Sequence, residues 1–189
     1  MGETGTRGGE SRIIAIDGRA CAGKTTLARM MGEAWGAAVI RADDFFLRPE
    51  QRTQDRYAEP GGNFDRERFE RDILQPIRRG QEIRYFPFDC QTMRLCAEPK
   101  IYPPASRFIV EGSYVTHPAL THYYHRMIFM DLDPQLQRER LFRREDPASA
   151  ERFLRLWIPL ENKAFTFFGA HNTYDIHIYS RKGRRKNDE

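Results

Sequence analysis

The chain has 189 residues, of which 40% are hydrophobic, and this is enough apolar material for one domain with its own core. No apolar run approaches the ~20 residues that a membrane-spanning helix needs, so we expect a protein that does not span a membrane. The three cysteines, Cys21, Cys90 and Cys96, have no metal-binding spacing. They predict free thiols and a reducing, cytoplasmic environment.

The net charge of +4 lies mostly at the end of the chain, where residues 181–189 hold five basic and two acidic side chains. The rest is close to neutral, which argues against a nucleic-acid-binding surface. We expect residues 1–11, which are polar and glycine-rich, to form a disordered leader. Residues 12–180 are predicted to form one domain and residues 181–189 a solvated basic tail.

Predicted strands and helices alternate along the chain, which is typical of a parallel sheet covered by helices on both faces. The predicted strands cover residues 12–17, 38–42, 107–111, 127–131 and 175–179. The predicted helices cover residues 24–35, the segment from Asp65 to Gly80, the segment that starts at Asp133-Pro134, and an amphipathic stretch over 153–168. Residues 81–102, interrupted by two prolines, predict a small β-rich insertion.

The most specific motif is G-x-x-x-x-G-K-[ST], which residues 18–25 match in full between a predicted strand and a predicted helix. In that context the backbone N–H groups and the helix N-terminus bind nucleotide phosphates. We expect Lys24 to neutralise the β- and γ-phosphate oxygens of ATP and the Thr25 hydroxyl to bind Mg²⁺. The predicted nucleotide-binding residues are Gly18, Ala20, Cys21, Ala22, Gly23, Lys24, Thr25 and Thr26.

A P-loop predicts a nucleotide but not a reaction. The N-K-x-D motif of translation-type GTPases is missing, because Asn162-Lys163 is followed by Ala164-Phe165. Motor and transport ATPases are usually much longer chains with several domains. A small kinase is therefore the natural class for this sequence.

Acidic residues follow two predicted strands, at the edge of an open α/β sheet where ligands bind. Asp43 and Asp44 follow the second strand, and Glu111 is the last residue of the third. A kinase that acts on a hydroxyl group needs a carboxylate to orient the alcohol and accept its proton, and acidic groups near the magnesium. The alternative for each is a turn or cap residue. Because neighbouring side chains on an extended strand point to opposite faces, we expect only one aspartate to face the acceptor.

The sequence resembles the uridine kinase and nicotinamide riboside kinase group of P-loop kinases over nearly the whole chain after residue 12, with the motifs in the same order along the chain. The matching segments are the P-loop, 42–47, 63–65, 88–90, 109–112, and Asp131-Leu132-Asp133 with the arginine-rich helix after it. The resemblance implies an α/β P-loop sandwich with a five-stranded parallel sheet, a helical lid and a small β insertion over the acceptor pocket. It also implies an ATP-dependent kinase with a small, nucleoside-like acceptor.

The resemblance also implies roles for individual residues. Asp43 is expected to be the catalytic base, and Glu111 to lie near magnesium and the substrate. Asp65 is expected to hold the ribose hydroxyls of the acceptor, and Phe88 to line the acceptor site. Asp44 is left to cap the following turn or to help hold magnesium through water.

Arg140 and Arg144 are implied to be lid arginines above the transferred phosphoryl group. A second reason comes from their spacing, because residues i and i+4 project from one face of a helix. Two converging guanidinium groups can stabilise charge on the transferred group. Arg138 and Arg143 lie on other faces of the same helix, where a solvated arginine is the expected state.

The sequence departs from the uridine kinase pattern at Met93, where that family has a histidine that reads the pyrimidine. Methionine cannot make that hydrogen bond, so we expect uridine and cytidine to be poor substrates. The loop over residues 47–62 has no clear counterpart and contains Arg48, Arg52 and Arg56. These arginines either meet an anionic acceptor or belong to an ordinary solvated loop, and the sequence favours neither.

Other functions remain open. The acceptor can be a non-nucleoside alcohol such as pantothenate or a sugar. A different class is a nucleotide-binding regulatory module that hydrolyses ATP slowly and acts through the basic tail. Asp43 favours the enzyme, because a module that only binds nucleotide needs no base there. The preference between ATP and GTP and the oligomeric state, including a homo-oligomer, are also open.

Overall fold

The computed structural model describes residues 11–182. The predicted leader and basic tail lie outside the described residues except for Ser11, Arg181 and Lys182, so the three-part division of the chain stays a prediction. Within the described residues, no helix is both long and apolar enough to cross a membrane.

The described strands are β1 (Arg12–Gly18), β2 (Ala38–Arg41), β3 (Ile83–Tyr85), β4 (Phe88–Asp89), β5 (Arg94–Leu95), β6 (Lys100–Tyr102), β7 (Arg107–Glu111), β8 (Arg126–Leu132) and β9 (Ile176–Ser180). The helices are α1 (Lys24–Trp35), α2 (Gln54–Ala58), α3 (Arg66–Phe69), α4 (Gln75–Arg78), α5 (Pro134–Arg144), α6 (Pro147–Arg152) and α7 (Ile158–His171). A π-helical turn over Glu70–Leu74 joins α3 to α4, and another over Phe153–Trp157 joins α6 to α7. Short 3₁₀ turns cover Ala42–Phe45, Pro49–Gln51 and Thr121–Tyr123.

Five parallel strands form the central sheet in the order β2-β7-β1-β8-β9. The first strand lies in the middle, which explains its near-continuous apolar sequence: a strand with neighbours on both sides and helices on both faces has no solvent face. Because all five strands run the same way, their carboxyl ends share one edge of the sheet. The predicted five-stranded parallel sheet is confirmed.

The side chains of the sheet alternate between two apolar clusters, one on each face. In β7, Phe108 and Val110 pack into the larger cluster with the aromatic residues of the helices, whereas Ile109 packs into the smaller one beneath α1. In β8, Phe129 faces the larger cluster and Met130 the smaller one. This alternation is the two-residue period of a strand, and it gives a three-layer sandwich.

The predicted small β insertion is also confirmed, as two antiparallel pairs, β3 with β6 and β4 with β5. The prediction that Asp43 and Asp44 lie on an extended strand is wrong. β2 ends at Arg41, and both aspartates lie in the 3₁₀ turn over Ala42–Phe45. Ala42 and Phe45 are both buried, and a 3₁₀ turn is the conformation that brings residues i and i+3 to the same side.

Candidate active site

The P-loop runs from the end of β1 to the first turn of α1, and its backbone requires glycine at both ends. Gly18 has a φ of 139°, and a Cβ there would lie 2.1 Å from the carbonyl oxygen of Met130 in β8. Gly23 has a φ of 99° and is the N-cap of α1. Residues that have a Cβ rarely adopt these backbone angles. The two glycines therefore fix the sharp turn that places the loop over the start of the helix.

The N–H groups at the start of α1 fit a bound phosphate. Those of residues 23–26 have no hydrogen-bond partner within residues 11–182, as expected for the first turn of a helix. The helix dipole adds partial positive charge at the same place. These free donors and the curled loop fit the β- and γ-phosphates of ATP.

Lys24 points into the loop and away from the apolar core. Its Nζ donates to the carbonyl oxygens of Gly18 at 2.7 Å and Arg19 at 2.9 Å, and lies 3.4 Å from Ser113 Oγ. The ammonium group is therefore held at the mouth of the P-loop by backbone oxygens. This is where it would meet phosphate oxygens.

Thr25 and Glu111 form a pair of oxygen donors beside the P-loop. The Thr25 hydroxyl donates to Glu111 Oε1 at 3.1 Å. Glu111 is 2% exposed at the end of β7, and burial raises the pKa of its carboxyl, with a further increase from nearby Asp43. A buried carboxylate next to a hydroxyl is the hard oxygen set that Mg²⁺ prefers, and a bound cation would remove the cost of burying the charge. The residues fit the predicted magnesium site.

Asp43 lies at the same edge of the sheet and faces the P-loop cavity. Its side chain is half exposed, and its Oδ2 lies 3.6 Å from Arg41 Nη2. Arg41 also approaches Glu111, with Nε 3.6 Å from Oε1. Asp43 is therefore a carboxylate that a small molecule can reach, next to the magnesium ligands predicted from the sequence.

Asp44 does not face this cavity. Its Oδ2 accepts hydrogen bonds from Tyr85 Oη at 2.8 Å and Lys100 Nζ at 2.6 Å, which ties the 3₁₀ turn to the β insertion. The structure thus gives Asp44 a different role from the predicted one near magnesium, because the 3₁₀ turn directs its carboxylate toward β3 and β6. We do not assign a metal ligand at this position.

Asp65 lies outside the P-loop cavity, where the resemblance implied a contact with ribose. It is 2% exposed, and its carboxylate caps α3 by accepting from Arg68 N at 3.2 Å. It also accepts from Gln51 Nε2 at 3.0 Å, and Arg68 Nε lies 3.4 Å away. The predicted helix cap is present, and these internal partners hold the carboxylate beside a different cavity from the one that contains the P-loop.

Phe88 is also further from the cavity than predicted. It is buried in β4, and the guanidinium of Arg52 lies 5.7 Å from the centre of its ring. The cavity wall at this point is made by Phe46, Cys90 and Met93 instead. Phe88 is therefore buried and does not line this cavity.

The two predicted lid arginines lie at the cavity, on α5. Arg140 donates from Nη1 to the carbonyl oxygen of Cys21, in the P-loop, at 2.9 Å. Arg144 lies over the ring of Phe153 at 5.4 Å and pairs with Glu145. Both arginines line the same cavity as Lys24. Their action on the transferred group stays a prediction.

Sequence reasoning missed a clamp on the P-loop formed by Glu161 and Gln137. Glu161 is 3% exposed on α7, and its Oε1 accepts the Ala20 N–H at 2.7 Å. Gln137 on α5 donates from Nε2 to Ala20 O and to Glu161 Oε2, each at 3.1 Å. Burial raises the pKa of Glu161, and the charge of Lys24 opposes that shift. Two helices thus hold the N–H and the carbonyl oxygen of one P-loop residue, Ala20.

A single cavity of about 650 Å³ connects these groups. Its nucleotide end is formed by the P-loop and the lid arginines. Most of the rest of the lining comes from side chains of residues 43–63, the β insertion, and the segment from the end of α6 to the start of α7. Those side chains are Asp43, Phe46, Arg52, Tyr57, Asn63, Cys90, Met93, Arg152, Phe153, Trp157 and Ile158.

Solved structures with a similar fold were found by comparison. The chain superposes on a possible uridine kinase from Bacillus stearothermophilus with a TM-score of 0.67 and 14% identity, covering 92% of this chain and 91% of that one. A protein from Silicibacter sp. TM1040, provisionally described as a fructose transport system kinase, gives 0.69 and 22% identity over 90% and 91%. D-glycerate 3-kinase from Cryptococcus neoformans gives 0.64 and 12% identity over 91% and 86%.

The chain has the fold of the P-loop kinases. The predicted fold class is thereby confirmed. No family model matches the sequence, and no curated protein matches it. The identities to the solved structures are too low to transfer a substrate, so the acceptor has to be inferred from the cavity itself.

Proposed function

We propose that the protein is an ATP-dependent kinase that transfers the γ-phosphoryl group of ATP to a hydroxyl group of a small molecule. One observation carries the proposal: a single cavity holds the P-loop lysine, Lys24, and an accessible carboxylate, Asp43. A phosphoryl transferase needs these two groups on opposite sides of the reacting phosphorus. The shared P-loop kinase fold supports the same reaction class.

The P-loop would hold ATP through the N–H groups of residues 23–26 and through Lys24. Thr25 and Glu111 would hold magnesium, and the ion supplies neutralisation of phosphate charge when bound. Arg140 reaches the P-loop from α5. Together with Arg144, it would stabilise charge on the transferred group as the bond to the leaving oxygen breaks.

Asp43 would orient the acceptor alcohol and accept its proton while the alcohol oxygen forms a bond to the γ-phosphorus and ADP leaves. Its exposed position in the cavity suits this role, because the base has to reach a diffusible molecule. Glu111 is less suited, since it is buried and hydrogen-bonded to Thr25. We therefore keep Asp43 as the base and Glu111 as the metal ligand.

The nucleoside-like acceptor that the resemblance implies has less support than the reaction. Asp65 is engaged by Gln51 and Arg68, and Met93 lines the cavity at the turn between β4 and β5. Neither residue offers the hydrogen bonds that a pyrimidine nucleoside would need. A site that lacks such groups loses a large source of selectivity, so we expect uridine and cytidine to be poor acceptors.

The test is a coupled assay of ADP release from ATP and Mg²⁺ over a panel of nucleosides, vitamins and sugars. Wild-type protein should release ADP faster with one class of alcohol than without an acceptor, and Lys24→Ala should abolish that stimulation while keeping the wild-type circular dichroism spectrum. ADP release that no alcohol stimulates would favour the regulatory ATPase. Full turnover by Lys24→Ala would overturn the P-loop assignment.

A further inference from the structure

The arginines of the 47–62 loop fall into two groups, and the first group holds the loop together. Arg56 pairs with Glu59 and with Glu67, the latter at 2.6 Å. Arg48 donates to Gln51 and lies 3.3 Å from Glu50. Neither arginine lines the cavity that contains the P-loop. Their partners account for them as structural groups of a surface loop.

Arg52 differs from both. It is half-buried and lines the P-loop cavity together with Asp43. Its Nε donates to the carbonyl oxygen of Leu47 at 3.0 Å, which fixes the side chain. The two terminal nitrogens make no hydrogen bond or ion pair within residues 11–182. Arg52 is therefore a cavity-lining arginine that is held at Nε and by the Phe88 ring, 5.7 Å away, while its terminal nitrogens have no polar partner among the described residues.

The position of Arg52 is on the acceptor side of the cavity. Arg52 and Asp43 both act on the Cys90 thiol: desolvation raises the pKa of Cys90, Arg52 lowers it and Asp43 raises it further. Arg144 instead acts on Cys21, in the P-loop. Besides Lys24, the cavity thus has arginines in three places: Arg140 and Arg144 at the P-loop, Arg152 at the end of α6, and Arg52 near Cys90.

A guanidinium on the acceptor side of the cavity indicates a preference for an anionic group. Its planar fork matches the two oxygens of a carboxylate or phosphate, and such pairs are stronger than neutral hydrogen bonds. A neutral alcohol would leave those donors to water. An anionic alcohol would also be repelled by Asp43 and Glu111. Arg41 pairs with both carboxylates but does not line the cavity, whereas Arg52 lines it and can offset the remaining repulsion by contacting the anionic group directly.

We propose that Arg52 binds an anionic group of the acceptor, so that the substrate is an alcohol that carries a carboxylate or a phosphate group. This inference rests on the proposed kinase function and narrows its substrate class. The hydroxyl of such a molecule would face Asp43 while its anionic end faces Arg52. Tyr57 and Asn63 line the same region and offer hydrogen bonds to further hydroxyls.

The experiment compares acceptors in matched pairs in the ADP-release assay. Glycerate, pantothenate and gluconate represent hydroxy acids, and glycerol, panthenol and glucose are their neutral counterparts. Glycerol 3-phosphate and fructose 6-phosphate test a phosphate as the anionic group. We expect at least one anionic alcohol to give a kcat/KM that is roughly tenfold or more above its neutral counterpart.

Arg52→Gln removes the charge and the guanidinium group and shortens the side chain, while keeping it polar. It should raise the KM of the preferred anionic acceptor by roughly 10- to 100-fold, the worth of a hydrogen bond to a charged group. The KM of ATP should change by about twofold or less. The control, Arg48→Gln, makes the same substitution in the same loop outside the cavity and should change neither constant.

The outcomes separate this inference from the proposed function. Preference for a neutral alcohol, or an unchanged acceptor KM in Arg52→Gln, would overturn the inference and leave the kinase standing. If no acceptor is turned over, titration calorimetry measures binding instead: the protein is first titrated with a non-hydrolysable ATP analogue, and the resulting complex is then titrated with each acceptor. Binding of the analogue without any binding of the anionic alcohols also overturns the inference. If wild type binds the analogue no better than Lys24→Ala, the proposed function fails too.

Discussion

The two ends of the cavity are built in different ways. The phosphate-binding part of the nucleotide end is one contiguous stretch, residues 18–26, whose shape is set by two glycines and by the approach of β8. The two lid arginines join this end from elsewhere in the chain. The acceptor end is assembled from single side chains on separate segments, among them Asp43 after β2, Arg52 in the loop and Met93 in the β insertion. A contiguous motif can be recognised before the fold is known. Scattered side chains acquire a function only when the fold brings them together.

The largest expected effect separates the two aspartates at the boundary between these ends. Asp43→Asn keeps the shape of the side chain but cannot accept the hydroxyl proton. It should lower kcat by roughly 10²–10⁴-fold, the usual worth of a positioned general base. The affinity for ATP, measured by titration calorimetry, should change little because Asp43 faces the acceptor.

Asp44→Asn is the matched control, since it makes the same substitution one residue later. The structure directs Asp44 to Tyr85 and Lys100, so the change should affect kcat clearly less and should mainly lower the melting temperature. Partly exposed pairs of this kind contribute on the order of 1 kcal/mol or less. A larger loss of kcat in Asp44→Asn than in Asp43→Asn would reverse the roles of the two residues.

A smaller effect is expected for the two lid arginines, Arg140 and Arg144. They lie near the P-loop in the fold, although α5 is far from it in the sequence. Arg140→Ala and Arg144→Ala should each lower kcat by roughly 10²- to 10³-fold, the range for removing one charge-stabilising donor. The dissociation constant of ATP should rise less than kcat falls, since these arginines act mainly on charge that develops during transfer.

Arg143→Ala serves as the control for the lid, because Arg143 is exposed on another face of the same helix. We expect it to keep wild-type kinetics. If all three variants keep wild-type turnover, α5 is an ordinary surface helix and the lid assignment is wrong. If Arg143→Ala alone is impaired, the wrong face of the helix was assigned.

The parts of the molecule that the sequence predicted well are local. The strands were predicted from apolar runs. The P-loop was predicted from eight consecutive residues, two of which are glycines with positive φ angles. Asp65 shows the limit of such reasoning: its helix cap depends on neighbouring residues and was predicted. The partners that engage it, Gln51 and Arg68, were not foreseen. Whether a carboxylate is free to bind a ligand depends on the side chains that the fold places next to it.

Glu161 shows a different limit. The apolar pattern of residues 153–168 predicted a helix that faces the core, and Glu161 was passed over as a polar residue within it. A signal was available, because Glu161 stands one turn before Ala164 and Phe165, which are both buried. An acid at such a position has to find buried donors. Only the fold shows that those donors are the Ala20 N–H and the Gln137 amide.

The smallest predicted effect tests whether Glu161 positions the P-loop. Glu161→Gln keeps the shape of the side chain but replaces one acceptor oxygen with an NH₂ group. That group would face either the Ala20 N–H or the Gln137 amide, and each of these is a donor. We expect the loss of about one hydrogen bond, which corresponds to a rise of roughly 2- to 10-fold in the dissociation constant of ATP.

An opposing effect has to be weighed, because the substitution also removes a negative charge near Lys24. If the charge of Glu161 mattered more than its hydrogen bonds, ATP would bind more tightly to Glu161→Gln and the difference would shrink with added salt. We expect weaker binding, since the carboxylate is held between two donors and fixes a peptide of the phosphate-binding loop. Glu151→Gln, on the exposed side of α6 with Arg138 at 3.5 Å as its ion-pair partner, is the matched control and should bind ATP like wild type. Tighter binding by Glu161→Gln would show that this glutamate restrains the affinity for phosphate and does not organise the loop.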